Sequence, residues 1–205
     1  MFSGIVQSVG VIEKVEPLEA GVRLTIDAGT LDLSGTAVGD SIAVNGACMT
    51  ATCVSGNRFT VDVSRESLDV TAGLGAPGKV NLEKAMALGE RIDGHLVTGH
   101  VDGVGEVTAF EQLGESTRLE VRAPADLARY IARKGSITVD GVSLTVNKVD
   151  DRAAGTVFEV NLIPHTLEVT TLSRLAAGSR VNLEIDLVAR YIERALGTSR
   201  LLARD

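Results

Sequence analysis

Apolar residues in the first half of the chain fall in short runs that alternate with polar ones, at residues 22–26, 41–44, 50–54, 59–63 and 79–82. Each run is rich in β-branched residues and is bounded by Gly, Asn or Asp, which is the signature of strands joined by tight turns. Helical periodicity is scarcer. A short helix is predicted over 126–133, after Pro124 and before Gly135, with a weaker counterpart near 31–36. Beyond Asp186 the texture changes. Leu187, Val188, Tyr191, Ile192, Ala195 and Leu196 form a broad apolar stripe with i, i+4 spacing, predicting an amphipathic helix that ends at Gly197.

Slid along itself, the chain repeats. Ser41-Ile42-Ala43-Val44-Asn45-Gly46-Ala47-Cys48-Met49-Thr50 resembles Ser136-Ile137-Thr138-Val139-Asp140-Gly141-Val142-Ser143-Leu144-Thr145 at an offset of 95 residues. The same offset brings Gly4, Val6, Val9 and Gly10 onto Gly99, Val101, Val104 and Gly105. Val80-Asn81-Leu82-Glu83 then matches Val181-Asn182-Leu183-Glu184 after small insertions. About six strands per copy are too few for an open sheet with two free edges, so each copy is expected to close on itself. The predicted fold is mainly β: two tandem homologous six-stranded Greek-key β-barrels with a C-terminal α-helix. The expected domains are residues 1–90, 91–185 and 186–205, with the junction near 87–94. The lone helix must bury its stripe on its own barrels or on other subunits, and oligomerisation is the preferred reading.

Charge narrows the partners. The net charge of −7 and the lack of any Lys/Arg run argue against nucleic acid. No stretch approaches the ~20 apolar residues of a membrane helix. The start of the chain lacks the features of a secretory leader, so a cytoplasmic location is expected. Cys48 and Cys53 lie five residues apart in a predicted strand, which places them on opposite faces, and they lack metal-ligand spacing. Neither a disulfide nor a metal site is expected.

Four segments carry a resemblance. They are Met1-Phe2-Ser3-Gly4-Ile5-Val6, then Gly94-His95-Leu96-Val97-Thr98-Gly99-His100-Val101-Asp102-Gly103, then Lys134-Gly135-Ser136 with Asp140 to Thr145, and Asn161-Leu162-Ile163-Pro164-His165-Thr166-Leu167. On these the chain resembles riboflavin synthases of the trimeric kind, built from two lumazine-binding barrels. The one small departure is Ser3, where that family more usually has Thr and the hydroxyl is retained. The resemblance implies a dismutation in which one 6,7-dimethyl-8-ribityllumazine gives four carbons to another, yielding riboflavin and 5-amino-6-ribitylamino-uracil. It also implies a homotrimer whose site joins barrels of neighbouring subunits, and no metal or redox cofactor. Two similar pockets suit the union of two identical molecules, because holding both in register removes much of the entropic barrier.

The two copies differ where such chemistry needs them to differ. His100 stands opposite Ile5, Ser143 opposite Cys48, Asp102 opposite Gln7 and Asp186 opposite Ala85. The expected catalytic set is His100, Ser143, Thr145, Asp186 and Cys48. His100 is the foremost candidate for proton transfer, since imidazole titrates near neutrality. Ser143 and Thr145 share a strand face and could bind a heterocycle or position water, a geometry that Cys48 and Thr50 repeat. Cys48 has no adjacent His or Lys to form a thiolate, so lining the pocket is preferred to covalent attack. Asp186 fits a helix N-cap as well as a functional carboxylate. His95 is read as structural.

The resemblance assigns substrate binding more widely: Gly4, Ile5 and Val6; Ser41, Cys48, Met49 and Thr50; Asp62, Val63, Ser64, Arg65, Glu66 and Ser67; Gly99, His100 and Val101; Lys134; Ser143, Leu144 and Thr145; and Asn161, Leu162, Ile163, Pro164, His165 and Thr166. The main alternative is a non-catalytic lumazine- or flavin-binding protein of the same ancestry, in which one pocket has decayed. Retention of His100, Ser143, Thr145 and Asp186 in the second copy and of Ser41, Cys48 and Thr50 in the first favours the enzyme.

Overall fold

A computed structural model describes residues 1–152 and 155–202, with side chains through residue 197. The first six strands are β1 (Ser8–Leu18), β2 (Gly21–Asp27), β3 (Ser41–Val44), β4 (Ala47–Ser55), β5 (Arg58–Ser64) and β6 (Gly78–Lys84). They close in the order β1-β2-β5-β4-β3-β6. The second six are β7 (Gly103–Leu113), β8 (Ser116–Ala123), β9 (Ser136–Val139), β10 (Val142–Arg152), β11 (Gly155–Leu162) and β12 (Arg180–Ile185), closed in the same cyclic order. All pairings are antiparallel, and the step from β2 to β5, like that from β8 to β11, is the Greek-key crossing. The described residues also form the α-helices α1 (Arg65–Val70), α2 (Pro164–Val169) and α3 (Leu187–Leu202). The segment expected as a helix over 126–133 is a 3₁₀ turn at Ala125–Tyr130.

Period-two alternation builds each core. Phe59, Val61 and Val63 of β5 point inward against Leu24 and Ile26, while Arg58, Thr60 and Asp62 point out. Phe158, Leu119, Val121 and Leu183 do the same in the second barrel. The burial of each Phe stabilises its barrel by roughly 2 kcal/mol. At the tip of the β3–β4 hairpin Asn45 and Gly46 both have positive φ, as do Asp140 and Gly141 between β9 and β10. This is the two-residue turn that Asn-Gly and Asp-Gly favour. The twin turns touch: a Cβ on Gly46 would lie 2.8 Å from the Gly141 nitrogen, and one on Gly141 2.7 Å from the Gly46 nitrogen.

Reciprocal contacts around this point relate the barrels by an approximate two-fold. Asn81 accepts from the Thr171 amide and donates to the Asp140 carbonyl; Asn182 accepts from the Ala72 amide and donates to the Asn45 carbonyl. Phe2 and Val97 form an antiparallel bridge on the same axis, both buried. The segments that lead into β1 and β7 therefore run between the barrels.

The structure differs from expectation at three further points. A bulge between Ala51 and Cys53 adds one residue to β4, so Cys53 joins Cys48 on the outer side. The same irregularity recurs between Val146 and Lys148. The C-terminal helix also runs through Gly197 to Leu202, because Gly within a helix costs only about 1 kcal/mol and Gly197 lacks the positive φ of a helix stop. Third, the leading segments exchange, which rearranges the candidate site.

Candidate functional site

The exchange starts from two buried glutamates. Glu83 on β6 accepts hydrogen bonds from the Ser3 amide, the Ser3 hydroxyl and the Gly4 amide at 2.7, 2.7 and 3.0 Å. Glu184 on β12 accepts from the Thr98 amide, the Thr98 hydroxyl and the Gly99 amide at 2.7, 2.7 and 2.9 Å. Burial pushes both carboxyls above the usual carboxylate range, and these hydrogen bonds offset only part of that rise. Held by its own barrel at the amide, each glycine turns its carbonyl to the other barrel. The Ser143 amide donates to the Gly4 carbonyl, and the Cys48 amide to the Gly99 carbonyl, both at 2.7 Å. Only glycine fits, since φ is near +78° at both positions and a Cβ would lie 2.7 Å from that of Ser143 or Cys48. Val6 consequently packs on the core of the second barrel and Val101 on that of the first.

Each candidate site is thus composite, and its lining belongs to the outer face of a barrel. In the first, Cys48 and Thr50 on β4 stand beside Ser41 on β3, under the segment 99–101. Cys48, Glu66, Ser67 and His100 line a cavity of about 200 Å³ there. In the second, Ser143 and Thr145 on β10 lie under Gly4, exposed Ile5 and Val6. The sequence reading groups His100 with Ser143, Thr145 and Asp186; the exchange instead delivers His100 to Cys48 in the first barrel.

The histidine beside Ser143 is His95. Its Nδ1 shares a 2.7 Å hydrogen bond with Ser143 Oγ, while its Nε2 is buried without a partner. Burial lowers the His95 pKa, and the negative charge of Asp186 opposes that shift. The imidazole is therefore held neutral, with a carboxylate acting on one side and a hydroxyl at hydrogen-bond distance. Such a row can accept or relay a proton. Asp186 Oδ1 also accepts from the Val188 amide, so it caps the helix in addition. The first barrel differs at the matching places, where Ala85 stands for Asp186 and Cys48 for Ser143. A His five residues from His100 in a regular strand would face away; here Gly99 breaks the regularity. The signal for the two buried glutamates was already in the repeated Asn81/Glu83 and Asn182/Glu184, polar pairs two apart that alternate with Val80, Leu82, Val181 and Leu183.

The remaining positions divide by strand parity. Met49, Val63, Leu144 and Leu162 turn into the cores, leaving their main chains to the outer face. Asp62 is held by Arg23 through two hydrogen bonds of 2.7 and 2.8 Å, whereas Asn161 donates to Ser116. Ser64 caps α1 by accepting from the Ser67 amide, and the Arg65 amide donates to the Ala20 carbonyl. In the second barrel Ile163 caps without a side-chain bond and Pro164 opens α2, with His165 exposed and the Thr166 carbonyl accepting from Thr170. Lys134 has φ near +66°, where its counterpart Gly39 has +100°. A non-glycine residue kept in that region points to a use for its side chain, and Nζ reaches Asn147 Oδ1 at 2.9 Å. Among the described residues no group of three or more His, Cys, Asp or Glu is placed to hold a metal ion.

Comparison with known proteins now bears on this geometry. The lumazine binding domain family matches twice, over residues 3–85 and 98–186. The chain belongs to the riboflavin synthase family. It is similar to the riboflavin synthase of Mycobacterium tuberculosis (strain ATCC 25618 / H37Rv), 48% identical over 202 residues, which cover 96% of this chain and 98% of the relative. The riboflavin synthase of Bacillus subtilis (strain 168) is 40% identical over 198 residues, with 96% and 90% covered. Among solved structures, LumP complexed with riboflavin aligns with a TM-score of 0.80 at 28% identity, covering 90% of this chain and 99% of that one. The matched segments begin at Ser3 and Thr98, inside the two leading segments, and end at Ala85 and at its counterpart Asp186, so the exchange at Gly4 and Gly99 and the buried Glu83 and Glu184 fall within them.

Proposed function

We propose that the protein is a riboflavin synthase, an enzyme that converts two molecules of 6,7-dimethyl-8-ribityllumazine into one riboflavin and one 5-amino-6-ribitylamino-uracil. The observation that carries this reading is the coexistence of two composite sites with unequal chemistry, one around Cys48 and His100 and one around Ser143, His95 and Asp186. A dismutation of identical molecules needs both: two pockets of one shape, and different proton-handling groups in each. His95, neutral and hydrogen-bonded to Ser143, serves proton transfer at the second site; His100 serves at the first. Lys134 and the segments around Glu66 and His165 hold the ligand at the pocket rims.

Assembly completes the site. On α3, Val188, Tyr191, Ile192 and Leu196 are each more than half exposed, an apolar stripe that a second and third copy would cover. A homotrimer bringing the first barrel of one subunit against the second barrel of its neighbour would place two lumazines in register. No helix of the described residues is long and apolar enough to cross a membrane, and a cytoplasmic location accords with that.

The similar LumP structure is complexed with riboflavin, and a non-catalytic lumazine- or flavin-binding protein would need only one intact pocket. Polar groups line both here. Purified protein incubated with 6,7-dimethyl-8-ribityllumazine alone should form one riboflavin for every two lumazines consumed. Binding without product, or dependence on an added four-carbon donor, would reject the enzyme reading.

A further inference from the structure

The residues matched by the repeat differ at one place that the chemistry above leaves unused. Gln7 and Asp102 occupy equivalent positions just before the first strand of each barrel, and both tie that position to the barrel's last strand. The Gln7 amide donates to the Leu82 carbonyl and its Oε1 accepts from the Lys84 amide at 2.9 Å; the Asp102 amide donates to the Leu183 carbonyl and its Oδ2 accepts from the Ile185 amide at 2.9 Å. A glutamine has one side-chain acceptor oxygen, already engaged. Asp102 has a second, and Oδ1 accepts a 2.6 Å hydrogen bond from Arg190 Nη2 on α3. One carboxylate therefore grips the chain on both sides of Asp186, at the backbone of the preceding residue and at a side chain four residues later.

Asp186 itself is bound locally, capping Val188 with Oδ1 and accepting the Arg190 amide at its carbonyl. Those bonds fix it to the helix but not to the barrel. The Asp102 grip ties this segment to the barrel from both sides of Asp186, two residues after His100. The Arg190 side chain is 40% exposed and that of Asp102 13%, so the pair adds little to global stability. Its consequence is orientation. We propose that Asp102 and Arg190 form a positioning clamp that aligns Asp186 with His95 and Ser143, a device present in the second barrel and absent from the first. This rests on the reading of His95, Ser143 and Asp186 as the reactive row.

Neither clamp residue touches the reacting atoms, so the test needs a readout that loss of packing does not move. Arg190→Gln should lower kcat roughly tenfold while changing KM far less, as misalignment at a reactive group does. The low-pH limb of the kcat profile, and the His95 titration followed by NMR of the full-length protein, should both move to lower pH, because Asp186 no longer supports the protonated imidazole. Asp102→Asn, which keeps an acceptor for Ile185, should act in the same direction, and Arg190→Lys should recover most of the loss. Arg129→Gln, which breaks a different ion pair to α3, with Glu193 at 3.6 Å, should leave the His95 titration in place. Unchanged kcat in Arg190→Gln, or a fall in kcat with the His95 titration unmoved, would overturn the clamp. Asp186→Asn in parallel separates the two readings. If it shifts both quantities and the clamp variants shift neither, only the clamp fails; if it shifts neither, the reactive row itself is misassigned.

Discussion

The two barrels share a fold to the level of individual bulges, hairpin turns and buried asparagines, yet their outer faces have taken different chemistry. At the first, a half-buried thiol and an exposed imidazole stand beside Glu66 and Ser67 in an open cavity. At the second, a hydroxyl is bonded to a half-buried imidazole under the field of a carboxylate that also starts a helix. The comparison shows that an apolar interior is preserved by packing, whereas the outward positions of the same strands are free to diverge. Cys48 became Ser143 with Ala47 and Met49 replaced by apolar Val142 and Leu144. On β4 and β10 the change of chemistry at Cys48 and Ser143 sits on the parity that faces away from the core.

The largest test removes what only the second barrel carries. Truncation after Asp186 deletes α3, and the chain should sediment as a monomer that still binds lumazine, with riboflavin formation down roughly a thousandfold or more because the partner pocket is lost. Rapid turnover by a demonstrable monomer would move the site to the two barrels of one chain.

Next in size, His95→Ala should reduce kcat on the order of 100-fold by removing the proton acceptor beside Ser143. His100→Ala should act through the first site. Lumazine titrations of the two variants should therefore show weakened binding at different sites, and an identical pattern for both would collapse the distinction between them.

The buried turn offers a third comparison. Asn45 and Asp140 play the same part, each accepting from the amide of the matching asparagine, but Asp140 is an acid whose pKa burial pushes up to about 7. Because the folded state holds this proton more tightly than the unfolded chain does, the stabilisation is complete below about pH 4 and is lost as pH rises towards 7. Asp140→Asn keeps the acceptor and removes the ionisation. It should leave stability similar at pH 4 and raise it by about 2 kcal/mol at pH 8, measured by urea unfolding. A variant no more stable than the parent at pH 8 would show that the carboxylate finds compensation there.

The smallest effect is expected at the thiol. Cys48→Ser gives the first site the hydroxyl that the second already has, and kcat should fall less than about threefold if Cys48 only lines the pocket; a loss as large as that of His95→Ala would make it a reactant.

Much of this was legible in the chain. The repeat, the strands and the amphipathic terminal helix follow from periodicity, and the pairs His100/Ile5, Ser143/Cys48, Asp102/Gln7 and Asp186/Ala85 locate the divergence without coordinates. Local signals also fixed the turns, since Asn45-Gly46 and Asp140-Gly141 favour one geometry wherever they occur. Bulges were less visible, because one inserted residue reverses strand parity without any distinctive composition, and so Cys53 changed face.

What tertiary structure alone decided is which copy each leading segment serves. The two copies carry nearly the same donors and acceptors, so pairing Gly4 with Ser143 or with Cys48 makes the same kind of hydrogen bond, and no local propensity separates the alternatives. The choice comes from burying Phe2 and Val97 against each other on the axis between the barrels, a contact that exists only when both segments run through that interface. That single packing decision moved His100 to the first site and left His95, half-buried by the same crossing, beside Ser143.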